Sequence, residues 1–130
     1  MHPSARVICH GIDLTEVARI RKAVDEHGER FLSRVFTEGE RVYCQSKKRA
    51  DEHLAARFAA KEAAFKALGT GWSGGIAWTD AEVVNSPGGA PALRLHNAAE
   101  ARAREVGVVR WYISLSHTAT MAIASVIGTA

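Results

Sequence analysis

The N-terminal part of the chain changes from an extended to a helical pattern of apolar positions. The apolar run over residues 7–12 predicts a short buried strand with Asp13 at its exit. From Leu14 onward, Val17, Ile20 and Val24 recur at the spacing of one helix face, and Gly28 ends this first helix. A second, shorter helix is predicted over residues 30–35.

A capping signal and a long alanine-rich segment follow. Residues 37–40, Thr-Glu-Gly-Glu, match the capping-box pattern and predict the start of a third helix. A polar, basic connection over residues 45–51 separates it from a long helix predicted from about Asp51 to Leu68. Gly69 supplies the C-terminal stop, because glycine tolerates the left-handed conformation that a helix end requires.

The remaining segments are mostly extended. Strands are predicted over residues 76–85 and 92–96 on either side of a turn at 86–91, and Asn97 is expected to cap a short helix that ends at Gly107. Two closing strands over residues 108–116 and 120–127 place His117 at the bend between them. This order predicts one α+β domain over residues 1–130, a mainly antiparallel sheet packed with a long central helix.

Composition narrows the class of protein. A hydrophobic fraction of 47% with 24% charged residues is typical of a globular chain, and the two cysteines, Cys9 and Cys44, do not make a disulfide scaffold. The net charge of +3 suits an acidic partner or a phosphorylated ligand but is too weak to indicate nucleic acid by itself. Because no apolar run approaches about 18 residues, a soluble, cytoplasmic protein is expected.

The long helix carries its charges beside its large apolar side chains. Lys61 falls within the apolar stripe, Arg57 lies on one margin, and Glu62 and Lys66 lie on the other. The opposite face is formed by the small residues Ala56, Ala59, Ala60, Ala63 and Ala67. Since charges beside core residues are costly without a partner or ion, neither face is typical of a solvated helix.

This arrangement favours a metal–phosphate site. A carboxylate supplies the oxygen ligands that Mg²⁺ prefers, lysine and arginine neutralise phosphate oxygens, and Gly-Thr-Gly at residues 69–71 allows close approach of the backbone. Because the loop follows a helix C-terminus, it is not a P-loop. The alternative is that Glu62 and Lys66 form an ordinary surface ion pair four residues apart.

Two other residues are candidates for the same site. Asp13 is the natural second carboxylate, and its alternative role is a helix N-cap helped by Glu16 three residues later. His117 lies near a sheet end, where polar groups meet ligands, and its alternative role is that of a structural turn histidine.

Three segments together resemble one enzyme family. GIDLTEVARI (11–20), RFAAKEAAFKALGTG (57–71) and SLSHT (114–118) are similar in order and spacing to the holo-(acyl-carrier-protein) synthases, the bacterial single-domain 4′-phosphopantetheinyl transferases. The resemblance covers essentially the whole chain. Cys9 stands where the family usually has glycine, and His10 where a small apolar residue is common. The resemblance implies transfer of 4′-phosphopantetheine from coenzyme A to a serine of apo acyl carrier protein, releasing 3′,5′-ADP, in support of fatty acid biosynthesis.

The resemblance also implies residue roles. Asp13 and Glu62 would bind Mg²⁺, and with Lys66 and His117 they would form the catalytic set. The coenzyme A contacts it implies are Lys48, Arg49, Arg57, Lys66, Gly69, Thr70, Gly71 and His117. Arg19, extended by Arg21 and Lys22, would dock the acidic carrier protein. The alternative for Arg21 and for Lys22 is an ordinary solvated surface position. Family members are homotrimers with active sites between subunits, so Asp13, Glu62 and His117 need not serve one site within one chain.

Two other functions are compatible with parts of this pattern. A small nucleic-acid-binding domain would use Lys47, Lys48 and Arg49, but it would also need aromatic residues among them, and the tryptophans are not clustered there. A magnesium-dependent phosphohydrolase would use the same carboxylates and would turn over coenzyme A without a carrier protein.

Overall fold

The computed structural model describes residues 5–70 and 75–130, which form an α+β fold as expected. The strands in these ranges are β1 (Val7–Glu16), β2 (Ala81–Asn85), β3 (Pro91–Leu95), β4 (Arg110–His117) and β5 (Met121–Thr129). The helices are α1 (Val17–His27), α2 (Glu29–Val35), α3 (Glu38–Gln45), α4 (Ala50–Leu68) and α5 (Asn97–Val106). An antiparallel sheet in the order β1-β5-β4 packs against α4, and β2 and β3 form a separate antiparallel pair.

The first strand is longer than the sequence pattern predicts. β1 continues through Asp13 to Glu16, and Asp13 pairs with Ala124 of β5. Asp13 is therefore an interior strand residue, so its prediction as a strand exit is wrong, as is its alternative role as an N-cap. Leu14, predicted to begin the helical pattern, is a strand residue, and Ile12, predicted to be buried, is exposed. Both alternate with inward-facing neighbours and lie on the exposed face of the sheet.

Asp80 accounts for two further differences. The predicted strand over 76–85 is only half formed, because Trp78–Asp80 makes a 3₁₀ turn in which the Asp80 carboxylate accepts a hydrogen bond from Ala77 N at 3.0 Å. Asn97 is not the N-cap of α5; His96 occupies that position. Asn97 instead adopts a left-handed φ of 51° and donates its side-chain amide to Asp80 Oδ1 at 3.2 Å.

The predicted cap of α3 is confirmed. Thr37 Oγ1 accepts from Glu40 N at 3.2 Å, and Glu40 Oε1 accepts from Thr37 N at 2.9 Å. The predicted stop of α4 is confirmed as well, since Gly69 has a left-handed φ of 72°. His117 is the last residue of β4, immediately before the bend.

The alanine face of α4 packs on the chain's own sheet. Ala59, Ala60 and Ala63 are fully buried against a cluster that includes Ala124 and Val126 of β5. A Cβ atom added at Gly11 of β1 would lie 1.9 Å from the Ala63 carbonyl oxygen. The backbones of helix and strand are thus in direct contact, which only small residues allow.

The charged side of α4 contains a fully buried ion pair. Lys61 Nζ, at 0% exposure, donates to Glu40 Oε1 and to Ala81 O, each at 2.7 Å. The second Glu40 oxygen accepts from Val83 N at 2.9 Å. Burial lowers the pKa of Lys61, and the Glu40 charge opposes that shift. Lys61 therefore joins α4 to α3 and β2 rather than facing a ligand.

We expect Gly11→Ala to destabilise the protein by about 3 kcal/mol, because the new methyl group meets backbone that cannot move aside. Denaturant unfolding measures this change. Gly39→Ala is the control, because its Cβ would have 3.6 Å to the nearest atom and alanine favours the helix. Equal stability of the two variants would contradict the helix–strand contact.

We expect Lys61→Met to cost about 3–5 kcal/mol, since it leaves the Glu40 carboxylate buried without its cation. The double variant Lys61→Met/Glu40→Gln should lose less than the sum of the single changes when unfolding free energies are compared. Lys22→Met, at an exposed position, should change the free energy of unfolding by less than about 0.5 kcal/mol. A Lys61→Met loss of that small size would show that the pair contributes nothing.

Candidate active site

Asp13 and Lys66 meet at the C-terminal end of α4. Lys66 Nζ lies 2.9 Å from Asp13 Oδ1 and donates to Ile12 O at 3.2 Å, while Thr15 Oγ1 donates to Asp13 Oδ2 at 3.1 Å. Lys66 thus pairs with Asp13 on the strand. The alternative of an ordinary surface ion pair required Lys66 to pair with Glu62, so it is wrong. The helix and β1 together assemble the predicted charged cluster.

Glu62 lies beside this pair and is partly buried. Burial raises the pKa of Glu62, and the neighbouring Asp13 charge raises it further, whereas Arg19 and Lys66 act in the opposite direction. The hydrogen bond to Asp13 raises the pKa of Lys66. Two carboxylates that repel each other next to a cation are poised to receive a second positive charge.

The donor set fits Mg²⁺ held jointly with a phosphorylated ligand. In the described ranges, no group of three or more histidine, cysteine, aspartate or glutamate side chains is arranged to hold a metal ion. Asp13 and Glu62 offer two carboxylates, and Mg²⁺ commonly binds one or two carboxylates while keeping waters and substrate phosphate oxygens as its other ligands. We call Asp13, Glu62 and Lys66 the carboxylate group.

The end of α4 positions the backbone beside this group. Gly69 N donates to Lys66 O at 3.1 Å, Thr70 N donates to Phe65 O at 3.3 Å, and Arg102 Nε donates to Leu68 O at 3.0 Å. Gly71, predicted to line the coenzyme site, lies outside the described residues. Gly69 and Thr70, the described part of the Gly-Thr-Gly segment, are therefore held against the last turn of α4 by these hydrogen bonds.

A second set of predicted residues lies at the other end of α4. His117 Nδ1 is 2.9 Å from Glu52 Oε1, and the second Glu52 oxygen is 3.8 Å from Arg49 Nε. Lys48 and Arg49 are exposed and line a cavity of about 290 Å³ with Arg21 and residues 50–52. We call Lys48, Arg49 and His117 the basic group. Glu52 was not predicted, because an acidic residue in the first turn is ordinary in any helix.

Arg57 is buried near the basic group, and its charge acts on His53, whose ring packs against His117. It is 4% exposed, its guanidinium carbon is 4.4 Å from the centre of the Tyr43 ring, and Nη2 donates to Asn85 Oδ1 at 3.0 Å. Tyr43 and Asn85 both line a cavity of about 610 Å³ between α3 and β2. Arg57 therefore supports the wall of this cavity.

One chain does not bring His117 to the carboxylate pair. In the sheet, Asp13 aligns through Ala124 with Leu115, and His117 lies two residues further along β4. Strand spacing and rise place the Asp13 and His117 Cα atoms roughly 12 Å apart. Their side chains diverge further, to Lys66 and to Glu52, which are about 21 Å apart along the helix axis.

The predicted docking residues on α1 lie near different ends of α4: Arg19 is close to the carboxylate group and Arg21 is close to the basic group. The Arg19 guanidinium carbon is 5.2 Å from the centre of the Phe58 ring, and its charge acts on Glu62. Arg21 Nε pairs with Asp51 Oδ2 at 3.0 Å beside the basic group. Lys22 is exposed, with its Nζ 3.9 Å from Glu26 Oε1.

Comparison with known proteins establishes the family. The sequence profile described as the 4′-phosphopantetheinyl transferase superfamily matches residues 10–124, so the chain belongs to this superfamily. A holo-[acyl-carrier-protein] synthase of Koribacter versatilis is 51% identical over 117 residues, covering 90% of this chain and 94% of that protein. One from Solibacter usitatus is 44% identical over 121 residues, covering 93% and 97%.

Solved structures of this kind share the fold. The holo-[acyl-carrier-protein] synthase of Neisseria meningitidis aligns with a TM-score of 0.85 and 28% identity, covering 95% of this chain and 98% of that one. The Helicobacter pylori enzyme in complex with coenzyme A aligns with a TM-score of 0.80 and 33% identity, covering 92% and 98%. Separately, no helix in the described part of the chain is long and apolar enough to cross a membrane.

The raised pKa of Glu62 predicts a conflict between stability and metal binding. The pKa of Glu62 is higher in the folded protein than its ordinary value of 4.5. Above the folded pKa, ionised Glu62 therefore destabilises the metal-free fold, and this cost disappears as the pH falls toward 4.5. Glu62→Gln should therefore raise the Tm at pH 8 without Mg²⁺, with a smaller gain at pH 5. Added Mg²⁺ should raise the Tm of the wild type but not of the variant.

Differential scanning fluorimetry with and without Mg²⁺ measures both effects. Glu100→Gln serves as the control, since its carboxylate lies on the surface of α5 and pairs only with Arg104 among its described partners. A lower Tm for metal-free Glu62→Gln at pH 8, with the control unchanged, would show that ionised Glu62 does not carry this cost.

Proposed function

We propose that the chain is a Mg²⁺-dependent holo-(acyl-carrier-protein) synthase. It transfers 4′-phosphopantetheine from coenzyme A to a serine of apo acyl carrier protein and releases 3′,5′-ADP, in the cytoplasm and in support of fatty acid biosynthesis. Residues 1–130 act as one transferase domain. The observation that carries the proposal is that two carboxylates, Asp13 and Glu62, lie together beside Lys66 in a chain of this superfamily.

The reaction explains why these side chains are needed. The serine hydroxyl oxygen attacks the pantetheine-side phosphorus of the coenzyme A pyrophosphate, and the bond from this phosphorus to the 3′,5′-ADP oxygen breaks. The hydroxyl proton is released to solvent water, and 3′,5′-ADP leaves. Asp13 and Glu62 would hold Mg²⁺, and the ion would supply positive charge to neutralise the pyrophosphate oxygens. Lys66, already oriented by Asp13, donates to a phosphate oxygen, and the backbone at Gly69 and Thr70 lines the coenzyme A site.

We further propose that the active site forms between copies of a homotrimer. The basic group is expected to bind the coenzyme phosphates and the 3′-phosphoadenosine end, yet it lies at the opposite end of α4 from the carboxylate group of its own chain. In a homotrimer, a neighbouring copy brings its basic group to this carboxylate group, and α4 stays intact in both copies. The proposal is supported by the outer face of the sheet, where Ile12 and Leu14 are 52% and 59% exposed beside Ile123.

The carrier protein is expected to dock on α1. Acyl carrier proteins are acidic, and a basic surface accelerates their encounter with the enzyme. Arg19, Arg21 and Lys22 are exposed on this helix. Arg19 also lies next to Glu62, so a carrier held there presents its serine close to the carboxylate group.

We expect conversion of apo acyl carrier protein to its phosphopantetheinylated form when the protein, coenzyme A and Mg²⁺ are mixed, as measured by intact mass. Asp13→Ala and Glu62→Ala should each lower the rate at least about 100-fold, and removal of Mg²⁺ by a chelator should have a similar effect. Glu100→Gln should retain the wild-type rate, because its carboxylate is remote from both groups.

No modification of a competent apo carrier would contradict the transferase. Hydrolysis of coenzyme A without carrier would favour the phosphohydrolase alternative, and salt-dependent binding of an oligonucleotide would favour the nucleic-acid alternative. Full activity of Asp13→Ala and Glu62→Ala would overturn the metal assignment.

A further inference from the structure

His117 contacts a carboxylate that lies outside the three segments that carry the family resemblance. Glu52 lies in the first turn of α4 with its side chain 9% exposed, and its Oε1 is 2.9 Å from His117 Nδ1. The other described ion partner of Glu52 is Arg49, whose side chain is 75% exposed and whose Nε is 3.8 Å away. The closer and better shielded partner of the carboxylate is therefore the histidine ring.

This contact determines which ring nitrogen faces a ligand. An ionised carboxylate only accepts hydrogen bonds, so His117 Nδ1 must carry the hydrogen that it donates to Glu52. Nε2 is then the nitrogen left for a ligand. Free neutral imidazole prefers the opposite tautomer, with its hydrogen on Nε2. The Glu52 contact thus selects a state that the side chain would not favour by itself.

A second contact restricts the orientation of the ring. His53, one residue after Glu52, packs edge-on against His117 with ring centroids 4.8 Å apart. Burial lowers the pKa of His53, and the His117 charge lowers it further, which favours a neutral His53 beside the dyad. Adjacent residues of one rigid helix therefore fix both the tautomer and the plane of His117.

We propose that Glu52 is a positioning residue for His117: it holds a hydrogen on Nδ1, so that a proton taken up by the ring enters at Nε2 and is donated from there to a phosphate group of coenzyme A. The proposal rests on the proposed function for the identity of the ligand, but not for the tautomer. Oriented histidines commonly owe their tautomer to such a carboxylate partner. A purely structural role for Glu52 would be to stabilise the first turn of α4 by its charge.

Nitrogen-15 NMR of the histidine rings tests the tautomer directly on the full chain. Neutral His117, identified by the signal lost in His117→Gln, should carry its hydrogen on Nδ1 in the wild type. Glu52→Ala should shift the hydrogen to Nε2, and Glu52→Gln, whose amide oxygen still accepts, should retain it largely on Nδ1. The same tautomer in wild type and Glu52→Ala would overturn the proposal.

Carrier modification kinetics test the consequence for the reaction. Glu52→Ala should lower kcat/KM by about 10–100-fold, the range typical for partners that orient a functional histidine, and Glu52→Gln should recover most of that loss. Adding Glu52→Ala to His117→Ala should cause little further loss, because the two residues act as a unit. Independent, additive losses at equal Tm would contradict a positioning role.

The two experiments separate this proposal from the proposed function. Failure of the wild type to modify the carrier would overturn the transferase, while the NMR result would still decide whether Glu52 sets the His117 tautomer. Glu100→Gln is the matched control for removal of one carboxylate, and it should change neither the His117 signals nor the rate.

Discussion

The direct contact between the Gly11 backbone and the Ala63 carbonyl sets the distance between α4 and the sheet. Because this distance is so short, the next inward-facing residue of β1, Asp13, comes within 2.9 Å of Lys66 and close enough to Glu62 to raise its pKa. The carboxylate group therefore depends on small residues that themselves carry no chemistry. The same contact explains the alanine face of α4, which is used inside the chain and not between copies.

The length of α4 then separates the functional residues. The helix crosses the sheet with the carboxylate group at its C-terminal end and the basic group at its N-terminal end. Its middle is fixed by the buried Lys61–Glu40 pair, so the two ends cannot approach each other without breaking the core. Under the proposed function, a ligand that needs both groups is bound between two copies, so assembly is part of the proposed active site.

Sequence patterns predicted the fold class, the α3 cap and the α4 stop, because these depend on local spacing or on compact motifs. The family resemblance added Asp13 to the charged residues of α4, and the structure brings Asp13 and Lys66 together, while their role in the reaction stays a prediction. Sequence patterns failed where distant residues decide. β1 extends past Asp13 because of its pairing with β5, and Asp80 reorganises both the segment before β2 and the start of α5. The Glu52–His117 contact joins residues 65 positions apart, and the Glu40–Lys61 contact joins residues 21 positions apart. A single sequence does not reveal such contacts.

The most direct test of an active site shared between copies is complementation of two inactive variants. One variant, Asp13→Ala, keeps an intact basic group, and the other, Arg49→Ala/His117→Ala, keeps an intact carboxylate group. After co-refolding in equal amounts, random assembly of a ring gives about a quarter of the interfaces both intact groups. We predict recovery of about that fraction of wild-type carrier modification in the mixture. A mixture no more active than its two components would contradict the account.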